Sequence, residues 1–90
     1  MLYQIQFLDR ALADMKKIGR PHQRIIKAKL VLLAENPEAL KNNIKRLASG
    51  ENLFRLRAGS YRIIFKKDER KLLILVVRIG HRKEIYLSLG

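Results

Sequence analysis

The sequence predicts an α+β domain of order βααβββ: a helix pair packed on one face of a small, mainly antiparallel, four-stranded sheet. Three observations point there. Residues 2–7 alternate between apolar and polar, residues 9–36 carry apolar side chains at helical spacing, and three strand-like segments separated by short turn signals follow residue 52. Ninety residues without an internal repeat make one domain, residues 1–90.

In the first segment Tyr3, Ile5 and Phe7 oppose Leu2, Gln4 and Gln6, the pattern of a half-buried strand. Asp9 fits a helix N-cap. Ala11, Leu12, Met15 and Ile18 follow at helical spacing, with Gly19 as the stop. Pro21 suits the first turn of a second helix, whose apolar stripe is Ile25, Ile26, Leu30, Leu32 and Leu33. That helix should end near Asn36, because Pro37 disfavours helical geometry in the residue before it. Glu38-Ala39-Leu40 has room for one more helical turn, and Ser49-Gly50-Glu51-Asn52 reads as a loop.

Leu53–Arg57 and Tyr61–Phe65 are the next two strands, joined by the turn Ala58-Gly59-Ser60. Alternation puts Phe54 and Leu56 on one face and Arg55 and Arg57 on the other. On the next strand Tyr61, Ile63 and Phe65 oppose Arg62, Ile64 and Lys66. If the apolar faces meet the helices, Arg55, Arg57 and Arg62 share the open face, where like charges repel and call for an anion. Lys66–Lys71 reads as a polar hairpin loop. The last strand starts as an apolar, β-branched run from Leu72, which predicts a central strand buried on both faces. Gly80 should end it and present His81, Arg82, Lys83, Glu84 and Tyr86 at its tip; the register with Arg78 is left open.

Charge narrows the partner. Lys and Arg outnumber Asp and Glu 20 to 8, a formal net charge of +12, and residues 41–90 alone carry +9. Such a field favours a polyanion, nucleic acid first and an acidic protein second. The chain has no cysteine, which excludes a disulfide framework, a thiol nucleophile and a Cys-based zinc site. No apolar stretch reaches the length of a membrane span and the start lacks a basic n-region, so no membrane partner and a cytoplasmic location are expected. There is no P-loop or Rossmann glycine pattern. No carboxylate pair lies at metal-ligand spacing from His22 or His81, and Ser49, Ser60 and Ser88 lack an evident base and acid. Chemistry would then rest on Arg, Lys, Tyr and His without metal or cofactor. That set suffices to cleave RNA, which supplies its own 2′-hydroxyl nucleophile and needs proton removal, charge stabilisation and a protonated leaving oxygen.

Leu53-Phe54-Arg55-Leu56-Arg57-Ala58-Gly59-Ser60-Tyr61-Arg62 and Val77-Arg78-Ile79-Gly80-His81-Arg82-Lys83-Glu84-Ile85-Tyr86 resemble the RelE/ParE superfamily of toxins from type II toxin–antitoxin systems. The family's fold, a helix pair on a small antiparallel sheet, agrees with the order above. The RelE-like branch implies a metal-independent, ribosome-dependent endoribonuclease that cuts mRNA in the ribosomal A site and so inhibits translation. Its partners would be the ribosome with its mRNA and an acidic, RelB-like antitoxin. By the resemblance Arg62 stabilises the transition-state phosphate, Arg82 is the second active-site arginine, and Tyr86 stacks on or orients the substrate. Arg55 stands where the family has an RNA-contacting strand lysine, and Arg57, Lys83 and Arg78 would add contacts to the RNA backbone. The family's other strand lysine, implicated as base, falls at Leu53; His81 is the natural substitute, since an imidazole titrates near neutral pH. Another branch uses a glutamate in a stretch that Glu38-Ala39-Leu40-Lys41 resembles. The alternatives are a ParE-like, non-enzymatic inhibitor of DNA gyrase and a degenerate toxin that only binds its antitoxin.

Overall fold

The computed structural model describes residues 2–47 and 52–85. Strand β1 (Gln4–Phe7) leads into helix α1 (Asp9–Lys16) and helix α2 (Arg20–Glu35). A 3₁₀ turn (Pro37–Asn43) then precedes β2 (Ile44–Arg46), β3 (Leu53–Ala58), β4 (Tyr61–Asp68) and β5 (Leu73–His81). The sheet has five strands in the order β1-β5-β4-β3-β2, with β1 parallel to β5 and the other pairs antiparallel. Sequence reading expected four. The extra strand is β2, three residues with one apolar side chain, too short to show alternation. A brief, charged strand is a usual way to end a sheet without offering a long open edge.

The helices cover one face. Ala11, Ile18, Ile26, Leu30 and Leu33 pack with Leu56, Ile63, Phe65, Ile74, Val76 and Ile79 in a single core cluster. Each of these side chains larger than alanine contributes roughly 1.5–3 kcal/mol on burial. The α2 stripe was read correctly at Ile26, Leu30 and Leu33, whereas Ile25 and Leu32 stay exposed. Leu8 is the N-cap of α1, so Asp9 is instead its first helical residue, placed to favour the helix dipole. Gly19 is the N-cap of α2 rather than a stop for α1. The carbonyls at the end of α1 are answered by α2: Gln23 Nε2 donates to Met15 O and Ile18 O, both at 2.8 Å.

β5 lies between β1 and β4, yet only one of its faces is fully buried. Ile74, Val76 and Ile79 are buried, while Leu73, Leu75 and Val77 are half-buried. Buried positions two and then three apart break the strand period. The cause is a register shift at Ile64/Phe65, whose partners are Arg78 and Val76, so that Val77 is an extra residue on β5. At the other end, the strand continues through Gly80 to His81 instead of stopping at the glycine. A Cβ at Gly80 would lie 3.0 Å from Ile85 Cδ1, so the glycine serves close packing. β4 also runs further than expected, taking Lys66, Lys67 and Asp68 out of the loop. Asp68 Oδ1 accepts from the Arg70 and Lys71 N–H groups and shapes the remaining turn.

Candidate active site

The β3–β4 hairpin turns through Gly59 and Ser60. Gly59 has φ +62°, a value that suits the first central position of a type II′ turn and disfavours other residues. This turn sets Arg62 beside Arg57 on β3 and Gly80 on β5. Arg55 follows one row along, across from Ile64. The predicted convergence of Arg55, Arg57 and Arg62 on the face away from the helices is therefore present.

Arg62 is held in place by its own hairpin. Its Nη1 donates to Gly59 O and Tyr61 O, both at 3.0 Å. The opposite edge, Nε and Nη2, has the geometry to grip two oxygens of one phosphate. Burial, then the charges of Arg55, Arg57 and Arg82, push the Arg62 guanidinium below its ordinary value. It stays protonated all the same. The meaning is electrostatic: a fixed cation, crowded by three others, that a bound anion relieves.

Arg82 joins the cluster because the chain beyond β5 folds back. Its N–H donates to Ser60 O at 2.8 Å, pinning the β5 tip to the β3–β4 turn. Within that tip Glu84 N–H donates to His81 O at 2.9 Å, and Lys83 N–H donates to His81 Nδ1 at 3.2 Å. Neutral His81 with Nδ1 accepting carries its proton on Nε2. The side chains of Arg82 and Lys83 are exposed. Tyr86, named from the sequence as a substrate-orienting residue, lies outside the described residues.

On the helix side of the same tip, Tyr61 sits between two histidines. His22, from the first turn of α2, is 5.1 Å from it, and His81 is 5.7 Å from it edge-on. Sequence reasoning missed His22, and no local pattern ties it to residues so far along the chain. It also missed Lys45, which β2 places directly across from Arg55.

Arg78 does not join the cationic cluster. Although it pairs with Ile64, its guanidinium is bonded to Asp14 of α1, with Nε to Oδ2 at 2.8 Å and Nη2 to Oδ1 at 3.3 Å. Asp14 Oδ2 also accepts the Ile79 N–H at 2.9 Å. Glu38 is exposed on the 3₁₀ turn. A groove of about 370 Å³ beside the tip is lined by Asp14, Lys17, Tyr61, His81 and Glu84. A larger hollow of about 680 Å³ lies at the opposite end of the sheet, around Lys66, Asp68 and Arg70. Among the described residues no three of His, Cys, Asp or Glu gather closely enough to share a metal ion, and no helix is long and apolar enough to cross a membrane.

The chain resembles known proteins along nearly its whole length. The family described as "ParE toxin of type II toxin-antitoxin system, parDE" matches residues 5–86. The mRNA interferase toxin RelE of Escherichia coli K12 is 28% identical over 88 residues, covering 96% of this chain and 92% of that protein. Toxin RelG of Mycobacterium tuberculosis is 25% identical, covering 96% and 98%. Among solved structures, the intact E. coli RelBE toxin–antitoxin complex is similar, with a TM-score of 0.72 and 27% identity over 88% of this chain and 95% of the other. The archaeal RelE–RelB complex from Pyrococcus horikoshii shares the fold at 19% identity, with a TM-score of 0.77 over 91% and 97%.

Proposed function

The chain belongs to the ParE toxin family of type II toxin–antitoxin systems, within the RelE/ParE superfamily, and from that premise we propose that it is a metal-independent endoribonuclease that cleaves mRNA on the ribosome. The observation that carries the reading is the Arg62 cluster: a guanidinium pinned by two carbonyls, with the charges of Arg55, Arg57 and Arg82 acting on it. A contact inhibitor of gyrase has no need to hold one cation against three others. A phosphorane does need such a site, because negative charge builds on its equatorial oxygens as the 2′-oxygen attacks.

In this mechanism the 2′-oxygen of the message bonds to phosphorus while the 5′-oxygen of the next nucleotide leaves. Arg62 and Arg82 bind the non-bridging oxygens, Tyr86 orients the attacking nucleotide, and Arg55, Arg57 and Lys83 hold the backbone. His81, or a nearby lysine, moves the protons: with the Lys83 N–H bond to Nδ1 open, His81 takes the 2′-hydroxyl proton at Nδ1, and the imidazolium so formed gives its Nε2 proton to the leaving 5′-oxygen. Arg78 fixes β5 through Asp14 rather than binding RNA.

The ribosome enters because the site is shallow. Positioning contributes about 7–11 kcal/mol to such a reaction, and this flat sheet face cannot align a free strand alone. An acidic, RelB-like antitoxin would cover the cationic face. An apolar groove of about 560 Å³ between β1 and the helices, lined by Phe7, Leu12 and Val31 and edged by Lys16 and Lys27, fits an amphipathic acidic segment of such a partner. The test is to express the protein in cells and map transcript ends. Cuts inside translated frames are expected. Intact messages accompanied by DNA damage would reject the enzyme in favour of a gyrase inhibitor.

A further inference from the structure

We propose that Ile85 is a positioning residue: it forms an apolar wall beside Arg62 on the sheet face away from the helices, keeps water from that guanidinium, and so strengthens its hold on an RNA phosphate. The inference rests on the endoribonuclease reading and adds to it a residue that acts through Arg62. Its basis is the register of β4 and β5. Arg62 pairs with Gly80. Directly opposed residues of an antiparallel pair point to the same face, with Cβ atoms about 4.5–5.5 Å apart. A side chain at position 80 would therefore stand next to Arg62. Gly80 has none, and Ile85 takes the space. Its Cδ1, Cβ and Cα lie 3.0, 3.6 and 3.8 Å from where a Gly80 Cβ would be. Ile85 thus borders the Arg62 side chain from across the strand pair.

Burial supports the same assignment. Arg82, Lys83 and Glu84 are exposed, yet Ile85, next in the chain, is fully buried. Ile64, two residues after Arg62 and so on the same face, is fully buried too. Neither isoleucine belongs to the core cluster beneath the helices. The arginine face therefore has apolar ground of its own, with Ile64 beside Arg62 along β4 and Ile85 beside it across on β5. Arg62 is half-buried, and burial is the foremost cause that pushes its guanidinium down. Its Nη1 is already fixed by Gly59 O and Tyr61 O. A charge pair gains strength as the local dielectric falls. A fixed donor in a water-poor site also needs no reorganisation as charge builds on the phosphorane.

The experiment compares Ile85→Val with Ile85→Thr, two replacements of one shape that differ by a hydroxyl. Thermal melting fixes the folded fraction of each, and rates are taken per folded molecule. On programmed ribosomes Ile85→Val should cut at close to the parent rate. Ile85→Thr should cut about tenfold more slowly, short of the roughly hundredfold that loss of a whole donor costs. In the Arg62→Ala background the two rates should be equal, because the wall then has nothing to act on. A second readout needs no cleavage. Exchange of the Arg62 Nε–H with water, followed by NMR and assigned by its loss in Arg62→Ala, should be several times faster in Ile85→Thr than in Ile85→Val. Equal exchange in the two variants overturns the wall, and so does equal cutting by them when the parent protein cuts. A Thr deficit that persists with Arg62→Ala also overturns it, since Ile85 would then act by another route. No cutting by the parent protein, with the exchange difference present, rejects the nuclease reading and not the wall.

Discussion

Asp14 and Arg78 carry the most direct check on how the β5 tip is held. β1 pairs with β5 only as far as Phe7 and Val76, so the Ile79 N–H lies beyond the last strand partner on that edge. Asp14 supplies the acceptor and neutralises Arg78 at the same point, and the two side chains are only 14% and 15% exposed. Asp14→Ala leaves a mostly buried guanidinium without its counter-ion and a strand N–H without an acceptor. Breaking a buried pair costs about 3–5 kcal/mol, and partial exposure puts this one near the lower figure. Arg78→Ala should cost about 1.5 kcal/mol, because Asp14 keeps the Ile79 N–H. The double variant should then fall short of the summed losses by about 1.5 kcal/mol. Urea unfolding of the four proteins measures all of this. Losses that add within about 0.5 kcal/mol would refute the coupling, and Arg78→Ala with full stability but weakened RNA binding would restore Arg78 to the RNA contacts. The pH dependence follows from the same geometry. Burial pushes the Asp14 carboxyl up, but the Arg78 bond, the Ile79 N–H and the charges of Arg78 and Lys17 outweigh it and hold it below the ordinary 3.8. Stability from a depressed carboxylate is present above the unfolded value and lost as pH falls through the folded one. The Asp14→Asn penalty should therefore be complete at neutral pH and shrink below pH 3.8.

Two further outcomes are expected. Arg62→Ala and Arg82→Ala should each raise the cleavage barrier by about 3 kcal/mol, on the order of a hundredfold in rate, with melting temperature little changed; full growth arrest by both at equal soluble expression would remove them from the active site. Gly80→Val should destabilise by about 2 kcal/mol, since even a Cβ there meets Ile85 at 3.0 Å, and an unchanged urea midpoint would show that the contact relaxes freely.

Much of this was legible in the sequence because the signals were local. Alternation in β3 and β4 put Arg55, Arg57 and Arg62 on one face, and Gly59 marked the turn that brings Arg62 to the tip. On α2, helical spacing identified Ile26, Leu30 and Leu33 as core but misplaced Ile25 and Leu32. What escaped was decided by distant partners. β2 exists because Ile44–Arg46 finds the edge of β3, not because three residues announce a strand. Gly80 looked like a terminator, yet its neighbour Ile85 is what excludes a side chain. Arg78 had the same appearance as the clustered arginines, and its contact with Asp14, 64 residues earlier in the chain, separates it from them. His22 reaches Tyr61 for the same kind of reason.

Ribosome-dependent cleavage is tested most directly with purified protein and one labelled message, alone and bound to programmed ribosomes. Rapid cutting is expected only on the ribosome, leaving 2′,3′-cyclic phosphate ends and stopping when the nucleotide before the cut is 2′-deoxy. Equal rates with and without ribosomes would contradict the dependence on external positioning, and cutting that survives the 2′-deoxy substitution would contradict the mechanism itself.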